Sequence, residues 1–112
     1  MGFINTQLAT SRTDTFTAAG NGITVDSTLR GVGYFSIQVT GQEVAATAWN
    51  VVLEGSLDRV NFSTILTHTE ATGDGEVLFS GANVFPCVYF RSRLVSVTLG
   101  SAVRIVVNIL GF

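Results

Sequence analysis

His68 is the chain's one histidine. It stands between Thr67 and Thr69, two residues before Glu70 and close to the turn-forming run Gly73-Asp74-Gly75. A hydrolytic triad built on it needs a serine nucleophile and an orienting acid. Ser56, Ser63 and Ser80 could supply the first and Asp58 or Asp74 the second, but none sits in a nucleophile elbow. The expectation is a rim histidine bonded to backbone or to a neighbouring subunit. Cys87, the single cysteine, has no cation nearer in sequence than Arg91 to activate its thiol, and alone it excludes both a disulfide within the chain and a cysteine zinc site. It reads as a small buried apolar residue. Glu54 with Asp58, or Asp74 with Glu76, offer carboxylate pairs of the kind that glycoside hydrolysis uses. Asp58 and Asp74 fall in turns, however, and Gly73-Asp74-Gly75-Glu76 stops short of a calcium loop. No phosphate-cradling glycine loop or dinucleotide fingerprint is present. The expectation is no enzyme, no metal and no cofactor.

Arginines and the lone tryptophan have other uses. Arg91 and Arg93 share one face of a strand, and a hairpin turning at Leu99 to Ser101 would bring Arg104 diagonally opposite Arg93 on that face. Three like charges there need acids. Glu54 or Glu43 can supply them within the subunit, or an acidic neighbour can supply them from an assembly. Trp49, in phase with Val51 and Leu53, is a core residue or else a platform for stacking on sugar rings.

The elements that must position these groups are strands. Glycine and Asn/Asp punctuate the chain too closely for a useful helix, and between the stops the hydrophobic period is two. Phe35, Ile37 and Val39 alternate with Tyr34, Ser36, Gln38 and Thr40. Trp49, Val51, Leu53 and Leu57 alternate with Asn50, Val52, Glu54 and Ser56. Val88, Phe90, Ser92 and Leu94 alternate with Tyr89, Arg91, Arg93 and Val95. From Ala102 to Leu110 both faces are apolar, so that strand has to be central in its sheet or covered by another subunit. Strands are expected near 3 to 9, 14 to 19, 23 to 30, 33 to 40, 47 to 57, 62 to 69, 76 to 80, 87 to 97 and 102 to 110. About eight antiparallel strands at this spacing give an all-β chain, a β-sandwich or jelly roll. One domain over 1–112 is expected, with an N-terminal arm over 1–12.

Charge is scarce: 6 basic and 8 acidic residues among 112, or 12%, against about 25% for an ordinary soluble chain. Six arginines without a lysine and a net charge of −2 argue against nucleic acid. No apolar run approaches the ~18 residues of a membrane span, and the start lacks the features of a secretory signal. The spacing of Gly2 and Thr6 fits a loose myristoylation pattern but is read here as an N-terminal strand. Asn61-Phe62-Ser63 is a formal glycosylation sequon, read as a turn. With 46% hydrophobic residues, some apolar surface should stay outside and favour self-association or a permanent partner.

Trp49 to Asp58, then Phe62 and Ile65, Gly73-Asp74-Gly75, Pro86, Tyr89, Arg91 and Arg93 together resemble the small β-sandwich virion proteins of tailed bacteriophages, among them capsid decoration or cement proteins. The resemblance spans roughly Trp49 to Leu110, and Arg59 departs from it where such turns usually carry glycine. It implies a non-enzymatic homo-oligomer, a trimer, made in the host cytoplasm and bound through the phage major capsid protein to the outer capsid surface. Phe3, Ile4 and Phe112 at the chain ends and Arg91, Arg93 and Arg104 are the candidate interface residues. The other reading is a carbohydrate-binding module of a phage fibre or cell-surface system, stacking sugars on Trp49, Tyr34 or Tyr89.

Overall fold

A computed structural model describes residues 10–26, 35–70, 73–80 and 87–111. Phe3, Ile4, Tyr34 and Phe112, together with the strand expected near 3 to 9, lie outside the described residues. The elements are β1 (Thr10–Phe16), β2 (Gly20–Asn21), β3 (Val25–Asp26), β4 (Phe35–Gly41), β5 (Ala48–Ser56), β6 (Ser63–Glu70), β7 (Gly75–Ser80), β8 (Tyr89–Thr98) and β9 (Ile105–Gly111). They form two antiparallel sheets, one in the order β1-β9-β4-β7 and the other β2-β8-β5-β6 with β3 also on β8. The fold is an all-β sandwich. Thr10 to Arg12, expected in an N-terminal arm, are the first residues of β1 and pair with Gly111 to Ile109.

Alternation of apolar and polar residues explains the layers. Phe35, Ile37 and Val39 of β4 meet Ile105, Val107 and Ile109 of β9 on the inner face of one sheet, and Trp49, Val51, Leu53, Phe90 and Leu94 face them from the other. Phe35 and Phe90 touch edge to face across the layers, with centroids 5.5 Å apart. The strand that is apolar on both faces, β9, lies between β1 and β4, so both of its edges are paired.

One expectation is overturned. The segments carrying Arg93 and Arg104 do not form a hairpin: β8 belongs to one sheet and β9 to the other. The connection between them, residues 99–104, crosses from sheet to sheet. Ala102 is buried within it, which draws the crossing down against the core. Arg104 is therefore not diagonal to Arg93 on a shared face. Val103 is 37% exposed in the same crossing.

Candidate functional site

Arg91 and Arg93 both turn to Glu54, which lies across from them in the β5–β8 ladder. Arg91 Nε donates to Glu54 Oε1 at 2.9 Å, and Arg93 Nη1 stands 3.5 Å from Oε2. Arg91 also lies over the Phe62 ring, 3.8 Å from its centroid. This cover explains why Val52 and Glu54, expected on the wetter face of β5, are buried, while Ser56 of the same face is buried with its hydroxyl bonded within its own turn. Within the subunit Glu54 is the acid that the arginine pair needs. Arg104 stands apart, its backbone carbonyl accepting from Gln42 N–H at 2.9 Å and its Nε buried without a partner.

The side chains considered for chemistry are dispersed. His68 is buried, not on a rim: it pairs with Val51, packs edge-on against Trp49 at 5.0 Å and leaves Nε2 without a hydrogen-bond partner. Ser56 lies five residues along β5 from Val51, about 17 Å at ~3.4 Å per residue. That distance rules out a triad of Ser56 and His68. Trp49 is 3% exposed and donates from Nε1 to the Gly73 carbonyl at 2.9 Å, so it is a core residue and not a sugar platform. Tyr89 is half-buried, with the Arg59 guanidinium 5.9 Å from its ring centroid. Asp74 accepts from Gly41 N–H at 2.8 Å, as a turn residue does. Cys87 is buried, and burial pushes its thiol above the ordinary range.

The arrangement least visible in the sequence is the β5–β6 turn. Leu57, expected on the buried face, is 75% exposed, and Val60 is 78% exposed. They stand on a tightly bonded loop. Asp58 Oδ1 accepts from Ser56 Oγ at 2.9 Å and from the N–H groups of Val60 and Asn61 at 2.9 and 2.8 Å, while Oδ2 accepts from Asn61 Nδ2 at 2.7 Å. Ser56 Oγ in turn accepts from the N–H groups of Asp58 and Arg59. These bonds, with the Asn61 backbone first, hold the Asp58 carboxyl well below the usual carboxylate range. Arg59, where glycine is usual, takes a φ of 66°, a conformation that costs a non-glycine residue energy and that the surrounding bonds enforce. The signal that could have revealed the loop is the Ser56–Asp58–Asn61 spacing, since short polar side chains bond their own backbone two or three residues on.

Beside this turn is a cavity of about 450 Å³. Its floor is Gly55, Ile65 and Cys87, and its rim includes Leu57, Ser63 and Thr64. Ile65 is the extra residue where the β5–β6 register shifts, and such a bulge re-aims a side chain. A Cβ on Gly55 would overlap Ile65 and come within 2.9 Å of Cys87 Sγ, so only glycine permits this packing.

A second buried acid, Asp14, joins the sheets at the opposite edge. Oδ2 accepts from Ser92 Oγ of β8 at 3.1 Å and Oδ1 from Ile23 N–H at 3.2 Å. Arg12 stands 3.2 Å away. Gly22 is required beside it, because a Cβ there would overlap both Asp14 and Ser92.

Neither a protein-family model nor a curated protein matches the sequence. Among solved structures the chain is similar to the SPBc2 prophage-derived protein YomS, with a TM-score of 0.57 and 13% identity over 92% of this chain and 91% of that one. At that identity the likeness is one of fold, and it extends over nearly the whole of both chains.

Proposed function

We propose that this chain is a non-enzymatic structural protein of a bacteriophage virion, a decoration or cement subunit that self-associates as a trimer and binds the major capsid protein on the outer capsid lattice. The observation that carries the reading is where the exposed apolar side chains stand. Leu57 and Val60 stand on one loop end and Val44 and Val103 in the connections at the other; the Ser56 and Asp58 bonds hold the first loop, and the Val103 N–H donates to the Gln42 carbonyl in the second, so burying these loops against a partner costs little ordering. Two of the three arginines offered to a partner, Arg91 and Arg93, are held on Glu54, which moves the contact surface towards the loop ends. Support for the phage setting comes from the fold shared with a prophage-derived protein.

The test is to image virions of the phage that carries this chain, with and without the protein, and to measure co-sedimentation of purified protein with bare capsids. Regular added density on the outer lattice and saturable co-sedimentation are expected. Capsids that neither bind the folded protein nor gain density from it would overturn the decoration reading.

A further inference from the structure

We propose that the turn Ser56–Asn61 is a self-association element, in which Val60 of one copy seats in the cavity beside the same turn of a second copy. The proposal rests on the reading of the chain as a self-associating subunit and names the surface that performs the association. Val60 is the most exposed of the large apolar side chains among the described residues, and it takes no part in lining the cavity of its own copy.

The cavity suits such a guest. Asp58 already accepts four hydrogen bonds and Ser56 Oγ is engaged three times, so these two polar groups have little left to offer a charged ligand. The floor of Ile65, Cys87 and Gly55 is apolar and gains only from an apolar side chain.

Knob and hole sit side by side on one loop end, which makes the patch complementary to itself. A rotation axis beside the turn delivers each copy's knob to its neighbour's hole, and the ring or pair closes with no knob unused. The charges agree: Asp58 and Arg59 are adjacent, so each turn is electrically neutral and two turns meet without net repulsion. A protein of another kind would have to bring its own complementary hole for Val60, whereas a second copy already has one.

Two single-cysteine variants decide the matter, Val60→Cys and Thr64→Cys, each made in a Cys87→Ala background that keeps the floor apolar and co-expressed so that mixed assemblies form during folding. Both positions are exposed, so both chains should fold, and far-ultraviolet circular dichroism checks that they do. Oxidation with diamide takes two electrons from a pair of thiols and joins them as a disulfide, reducing its azo bond to a hydrazine. The mixture should give a band at twice the chain mass, about tenfold stronger than either variant alone, because seating sets a high local concentration. In parallel, the Leu57→Glu, Val60→Glu double variant should appear as a folded monomer by native mass spectrometry under conditions where the parent is oligomeric. An oligomeric parent that yields no mixed band, or yields as much from Val60→Cys alone, overturns this surface and leaves the self-association reading standing. A parent that is monomeric at every concentration overturns both.

Discussion

Glu54 is 5% exposed beneath two arginines of β8, and the two are unequal. Arg91 is 21% exposed and bonds at 2.9 Å, while Arg93 is 49% exposed at 3.5 Å. Removing one partner of a buried pair costs about 3 kcal/mol, and an exposed pair is worth about 0–1 kcal/mol. For a chain of this length about 1 kcal/mol moves the melting temperature by ~4 °C. Glu54→Ala should therefore melt ~12 °C lower, and Arg93→Ala less than ~4 °C lower, by calorimetry; equal losses would mean that the burial argument fails. Asp58 gives a pH test. Its folded carboxyl titrates below the unfolded one, so the stabilisation is present in full above the unfolded value of ~3.9 and is lost progressively as pH falls below that value towards the folded one. Thermal melts between pH 6 and pH 3 should decline more steeply for the parent than for Asp58→Asn. Parallel curves would deny the turn its electrostatic role. Among these residues the sequence showed that Arg91 and Arg93 need an acid, with Glu54, Glu43 or a neighbouring subunit as the candidates. It did not show that Leu57 turns outward, because its position two beyond Gly55 keeps perfect phase with the core face while the Asp58 turn ends the strand at Ser56.

At the scale of elements, the period-two pattern located β4 through β9 to within a few residues, and the apolar character of β9 on both faces called for a central place or a covering subunit, of which the fold supplies the first. What the pattern leaves open is which sheet each strand joins. A hairpin and a sheet-to-sheet crossing reverse the chain alike and bury the same alternate residues, so β8 and β9 looked like partners. The distinguishing residue is Ala102, a small apolar side chain buried inside the connection where a solvated hairpin tip would carry polar residues. Covering β9 is the task of β1 on one edge and β4 on the other. A chain starting at Thr17 loses the β1 cover, exposes the Ile105–Gly111 ladder and should aggregate, as read by light scattering. Adding Val106→Lys to that shortened chain places a charge on the outer face of the bared strand and should recover soluble protein. A shortened chain that stays soluble and folded without it would show that β1 is not needed as a cover.

For the whole molecule, the scarcity of charge was legible from composition and its meaning lies in where the remaining groups stand. Fourteen charges over 6006 Å² of surface are about one per 430 Å², and Glu54, Asp14, Asp58, Arg12, Arg91 and Arg93 are occupied within the subunit. With a net charge of only −2, copies repel one another weakly. Among the described residues the exposed large apolar side chains stand in turns and connections, Ile23 at 58% included, except for Val95 of β8 at 39%. Burying a single Leu or Val is worth about 1.5–3 kcal/mol, and association costs at least ~4 kcal/mol in lost freedom. One knob seated in one hole is therefore marginal, whereas in a closed assembly every subunit both inserts its own knob and receives a neighbour's, which doubles the contacts per subunit. On the reading of the chain as a self-associating subunit, the expected species is a trimer. Native mass spectrometry over a dilution series should show three times 11.9 kDa at micromolar concentration, giving way to monomer as the protein is diluted. Because apolar burial carries the contact and few ions are released or screened, raising the salt from about 0.1 to 1 M should leave the midpoint of that dilution unchanged or shift it towards trimer. A trimer that falls apart as salt rises would place the contact on charged groups such as Arg104 instead of on the loop ends.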